Sequence, residues 1–216
     1  MARSDHVPTD ALNKVAGEVA DLIGRGLAKG LRPSGAPEAF ESLTGGAGGQ
    51  PLNIGDTLSV WRLDAAALKR VRESAAEGDL SRWAVPSELL FHVILLNKEP
   101  VAFARSRTRL ESLDEKALCQ LNESPLAGLV SDAVERVNRN EWRDPVAAAP
   151  DAVARLLEVP SYQFRGLWVF SEAREESRVL VIKAPARSRK LRWGGLLTTE
   201  QFFEGLRERR PLGGIS

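Results

Sequence analysis

Cysteine is almost absent, since Cys119 is the only one in 216 residues. A single thiol cannot close an intrachain disulfide, which fits a reducing compartment. Histidine is nearly as scarce: His6 lies near the start of the chain and His92 far from it. One cysteine and two distant histidines exclude a Cys/His zinc ligand set. No apolar run approaches the roughly eighteen residues of a membrane span, and the opening "MARSDHVPTD" lacks the apolar segment of a signal peptide. The expectation is a soluble cytoplasmic protein with no membrane contact. An excess of one charge is missing too, with 30 Lys and Arg against 29 Asp and Glu. A dedicated DNA-coating protein would carry a marked cationic surplus.

Familiar catalytic and phosphate-binding motifs are lacking as well. "GGAGGQP" has glycines but no following Lys-Ser/Thr, so the parts that hold phosphate and magnesium are missing. "GRGLAKG" follows no strand, which removes the dinucleotide reading. No G-x-S-x-G is present. Glu172, Glu175 and Glu176 read as a solvated turn, and Asp114 with Glu115 as helix-start compensation. No local signal calls for a cofactor, a metal or a named catalytic residue.

What is present suits a globular domain. Hydrophobic residues make up 43% and charged residues 27%, enough to bury a real core at this length. Arginine far outnumbers lysine, and alanine and glycine are abundant, a bias that reads as a GC-rich bacterial genome. Over residues 1–50, Leu12, Val15, Val19, Leu22, Ile23 and Leu27 share one helical face. A Gly-rich linker follows, with "TGGAGGQP" its mobile part. This is an N-terminal amphipathic arm, and the body runs over 51–216.

Within the body, "DTLSVWRLD" reads as a strand, and Asp64 caps a helix carrying Leu68 and Val71, closed by Gly78. "LFHVILL" and "PVAFARS" form a hairpin about "NKEP". "ESLDEKALCQL" is expected as a helix opening on the Ser112/Glu115 capping box, with Cys119 a small core residue within it. A further helix spans Leu126 to Arg139, and "EWRDPVAAAP" breaks it. "AVARLLE" after Asp151 is expected as a short helix. "YQFRGLWVF" and "RVLVIKAP" make a second hairpin about the charged turn "SEAREES", and Thr198/Gln201 cap "FFEGLRER".

The order repeats. "VPS" at Val85 and Val159 precedes an apolar hairpin that ends in "ARSR" at Ala104–Arg107 and again at Ala186–Arg189, the second interval being eight residues longer. One reading is an internal duplication with units 64–121 and 150–207; the other is a shared local architecture without common origin. Each proline is expected to end a helical segment and launch a strand.

The strongest local feature is "KAPARSRKLRWGG". Lys183, Arg187, Arg189, Lys190 and Arg192 fall within ten residues that hold no acid, and Trp193 follows. The first copy adds Arg105, Arg107 and Arg109. Guanidinium forks take phosphate or carboxylate bidentately, and a tryptophan face stacks on bases or cations. The alternative is a solvated strand exit. Trp61 and Trp168 lie in strands and are expected in the core. Trp83, Trp142 and Trp193 sit at element ends beside Arg82, Arg143 and Arg192, as cation–π clasps or as parts of a surface. His92, alone in a strand, reads as a packed or surface residue rather than a catalytic one.

The expected fold class is therefore α+β: two β-hairpins plus a further strand in a mainly antiparallel sheet packed by helices, with an N-terminal helical arm. For function, the first expectation is a non-catalytic protein- or peptide-binding adaptor. The alternatives are a nucleic-acid or polyanion binder acting through residues 105–109 and 183–192, and an enzyme whose scattered site leaves no local motif.

Overall fold

The computed structural model describes residues 53–73, 79–107, 118–123, 125–184 and 188–208. The arm and linker expected over 1–50, the Ser112/Glu115 capping box, Gly78, Arg109 and Arg187 lie outside these residues. The described elements are β1 (Asn53–Arg62), α1 (Ala65–Glu73), β2 (Val85–Leu96), β3 (Glu99–Arg107), β4 (Leu118–Glu123), α2 (Pro125–Asn138), β5 (Val153–Val159), β6 (Phe164–Ser171), β7 (Glu176–Lys183), β8 (Leu196–Thr198) and α3 (Thr199–Arg207). This is the α+β class, with mostly antiparallel strand pairing in an open sheet and α-helices. The exception is β1 with β5, which run parallel. No helix among the described residues is long and apolar enough to cross a membrane.

The chain divides into two compact units. Among the described residues, unit one holds 53–57 and 88–131, and unit two holds 58–87 and 132–208; β1, β2 and α2 each run through both.

Unit one has the strand order β4-β3-β2-β1. Its hairpin turns on Asn97 and Lys98, both left-handed at φ 53° and 70°. Two such residues in succession match the twist of a tight hairpin. Leu90 to Ile94 are buried without a break, so β2 is covered on both faces and alternation disappears. Phe91 stacks on Phe103 at 4.8 Å.

Unit two has the order β1-β5-β6-β7-β8. Leu68 and Val71 of α1 and Phe202 and Phe203 of α3 join Trp168 and Val181 in one buried cluster. Each such side chain contributes about 1.5–3 kcal/mol on burial. Both helices start as expected. The Asp64 carboxylate accepts from the Ala67 N–H at 2.6 Å, and Thr198 with Gln201 closes a full capping box on α3.

Two expected helices are strands. Residues 118–123 form β4, so Cys119 belongs to a strand, and "AVARLLE" supplies β5. Every residue from Arg155 to Val159 is buried; β5 is an interior strand between β1 and β6, and Leu157 and Val159 pack into the unit-two core cluster. A short run covered on both faces carries no strand alternation and reads equally as a helix. The "SEAREES" turn is also shorter than expected, since residues 172–175 alone separate β6 from β7.

The two VPS motifs differ. Val85 opens β2, whereas Val159 closes β5 and Pro160 begins a 3-10 turn over Pro160–Tyr162. The ARSR copies differ likewise: Ala104, Arg105 and Ser106 are buried within β3, whereas Ser188 and Arg189 follow the end of β7. What recurs is an element order of three strands and a helix, β2-β3-β4-α2 and β6-β7-β8-α3.

Candidate functional site

The segment that follows β7 is built around one leucine. Leu191 is 1% exposed. It packs against Gly205 of α3, where a Cβ would lie 2.5 Å from Leu191 Cδ2. Its N–H donates to Ser188 Oγ at 3.0 Å. Lys190 Nζ meets Glu208 at 2.8 Å and Glu204 at 3.2 Å, and these hydrogen bonds raise its pKa above the ordinary lysine value. Arg192 Nε donates to the Arg189 carbonyl at 3.0 Å. The chain then returns to β7, with the Gly194 N–H donating to the Val181 carbonyl at 2.8 Å and the Val181 N–H to the Gly195 carbonyl at 3.0 Å.

Gly194 is required on two counts. Its φ is +73°, and a Cβ there would stand 3.2 Å from Arg136 Nη1. Arg136 Nη2 donates to the Gly194 carbonyl at 3.4 Å. The same guanidinium forks onto Glu141 at 2.6 and 3.0 Å and stacks over Trp142 at 4.7 Å. The hydrogen bond from Arg136 holds the Glu141 carboxyl below the usual range.

Between these anchors stands Trp193, 63% exposed. Arg189 and Arg192 beside it are exposed too. A tryptophan held in water by a loop hydrogen-bonded on both sides is the exception to ordinary burial. Such a surface can press an aromatic face on a ligand while two guanidinium forks take its carboxylates.

The other sequence candidates scatter. Lys183 ends β7 and is exposed. Arg107 is exposed at the end of β3, but Arg105 is buried in unit one, 6.0 Å from the Phe91 ring centre and 5.9 Å from that of Phe103. Arg105 is thus not a solvated strand exit, because its register places it opposite Phe91. The Trp142 clasp is made by Arg136, not by the neighbouring Arg143. Trp168 is fully buried and donates to Ser177 Oγ at 2.7 Å, and Trp61 packs against it edge-on at 5.3 Å. Trp83 is partly buried.

His92 is sealed in unit one with no exposure. Thr57 Oγ1 lies 3.1 Å from Nδ1 and Ser106 Oγ 2.8 Å from Nε2. A neutral imidazole donates through one nitrogen and accepts through the other, and hydroxyls serve either way. Burial pulls its pKa down to about 4. Among the described residues no group of three or more His, Cys, Asp or Glu is placed to hold a metal ion.

Sequence reasoning found Trp193, Arg189 and Arg192 but missed Arg136 and its contact with Gly194, 58 residues away. Helical spacing signals only the Arg136–Asp132 pair, at 3.9 Å. Comparison with protein families, curated proteins and solved structures gives no match to this chain.

Proposed function

We propose that this chain is a non-catalytic binding protein whose Trp193 loop captures a peptide segment of a protein partner. The partner segment carries an apolar side chain for Trp193 and carboxylates for Arg189 and Arg192. The observation that carries the reading is the exposure of Trp193 on a loop fixed by Leu191, Gly194 and Gly195. Pre-organised aromatic and arginine side chains lose little freedom on binding, and they dominate interface energetics.

The surrounding charges favour a peptide over a polyanion. Lys190 is neutralised by Glu204 and Glu208, and Arg136 by Glu141 and Asp132. The cations around Trp193 are therefore interrupted by acids, whereas a nucleic-acid surface depends on a joined positive field.

The test is selection from a displayed random-peptide library with the full chain, run in parallel with the Trp193→Ala variant. The expected result is enrichment of acidic sequences containing a large apolar residue, lost in the variant. Equal enrichment by both proteins, or none by the wild type, refutes the reading. Binding of single-stranded oligonucleotides that weakens steeply with salt would favour the polyanion alternative instead.

A further inference from the structure

One row of charges crosses four neighbouring strands of unit two. Arg62 at the end of β1 pairs with Glu158 of β5, Glu158 with Arg165 of β6, and Arg165 with Lys183 of β7. Residues in register direct their side chains to the same face of a sheet. Glu158 is 5% exposed and gives one oxygen to each arginine. Its Oε2 accepts from Arg62 Nη2 at 3.4 Å, and its Oε1 from Arg165 Nε at 3.1 Å. Lys183 is exposed and, among the described residues, has no acid partner.

The last pair of the row departs from regular pairing. Gly166 faces Val181, so an unbroken ladder would set Arg165 opposite Ile182. A bulge inserts one residue here and brings Lys183 opposite Arg165 instead. Such partners have Cβ atoms about 5 Å apart, and like charges facing each other destabilise the strand pair. Bulges re-aim side chains beside functional sites. Three cations against one carboxylate leave two positive charges unmatched. Arg165 presents its share to solvent: Nε is held by Glu158, the side chain is 33% exposed, and Nη1 and Nη2 have no hydrogen-bond partner among the described residues. A guanidinium oriented through Nε offers those N–H groups as a fixed fork.

We infer that Arg165 and Lys183 form a phosphate-binding site in unit two, with a phosphate dianion seated between the Arg165 fork and Lys183 Nζ. A dianion meets both unmatched charges, whereas a monocarboxylate leaves one. The site shares no residue with the Trp193 loop.

The test follows the amide and indole N–H resonances of the full, isotopically labelled chain. Inorganic phosphate, phenyl phosphate and benzoate are titrated against chloride at constant ionic strength and about pH 8, where both phosphates are dianions. Both should give saturable shifts of the Arg165, Gly166 and Lys183 amides, and benzoate should bind at least about fivefold more weakly. Equal affinity for the two phosphates assigns the site to the phosphate group alone, and tighter binding of phenyl phosphate extends it to an organic ester. Lys183→Gln should weaken phosphate binding about tenfold. Its unfolding midpoint should be no lower than that of the wild type, because a repulsion is removed. Lys183→Arg keeps the charge and should bind within about twofold of the wild type. Reversal of Arg189 and Arg192 to glutamate should change phosphate affinity by less than about twofold, which separates this site from the Trp193 loop. The inference is overturned if neither phosphate gives a saturable shift up to about 10 mM. It is also overturned if Lys183→Gln binds phosphate as well as the wild type, or if benzoate binds as tightly as phosphate.

Discussion

Replacing Gly205 by alanine should destabilise this protein, although the same change in an ordinary helix stabilises it. Alanine gains about 1 kcal/mol over glycine inside a helix. At Gly205 the new Cβ would stand 2.5 Å from Leu191 Cδ2 and 2.7 Å from its Cγ, and overpacking of that kind costs about 1–3 kcal/mol. The net loss expected is up to about 2 kcal/mol. Leu191→Ala alone empties a fully buried site and should cost about 2–5 kcal/mol. In the Leu191→Ala background the clash is gone, so Gly205→Ala should change sign and stabilise by about 1 kcal/mol. Urea unfolding of the four proteins measures the cycle, with a coupling of about 1–3 kcal/mol expected. Additive effects, or a stabilising Gly205→Ala in the wild type, would show that Leu191 does not hold the loop against α3.

His92 gives the fold an acid-sensitive point. Its pKa is about 4 in the fold and about 6.5 in the unfolded chain, so the unfolded state takes up the proton first. Stability from this residue is complete above pH 6.5 and declines as pH falls towards 4, by about 3 kcal/mol in all. Denaturation at stepped pH should show that slope, and His92→Gln should flatten it; an unchanged slope contradicts the buried neutral imidazole. Trp168→Ala removes a fully buried aromatic and should cost about 3–5 kcal/mol. Arg189→Ala, on an exposed residue, should change unfolding by under about 0.5 kcal/mol. Similar losses at the two positions would refute the burial pattern.

Local signals were the most readable part of the sequence. Thr198 and Gln201 announce α3, Asp64 announces α1, and the apolar runs about Asn97 and Lys98 announce a hairpin, because capping and turn chemistry act over three or four residues. β5 was not readable, since the side chains that bury it, such as Leu68 and Phe202 around Leu157 and Val159, are distant in sequence. The "ARSR" match misled for the same reason: tetrapeptide composition carries no information on register, and register buries Arg105 opposite Phe91. Trp193 was readable as a residue but not as a site, because its rigidity depends on Arg136 meeting Gly194. The row of Arg62, Glu158, Arg165 and Lys183 carried no signal as a group, since a cross-strand ladder is a property of pairing and not of spacing.

The most direct measurement of the central claim is calorimetric titration of the best library-selected peptide into the wild type and Trp193→Ala, with unfolding midpoints recorded for both. Truncating an aromatic anchor of this kind costs about 2 kcal/mol or more, which is about thirtyfold in affinity. The account predicts at least that loss with an unchanged midpoint, and a comparable loss when Arg189 and Arg192 are reversed to glutamate. Equal affinity in the wild type and Trp193→Ala would contradict it.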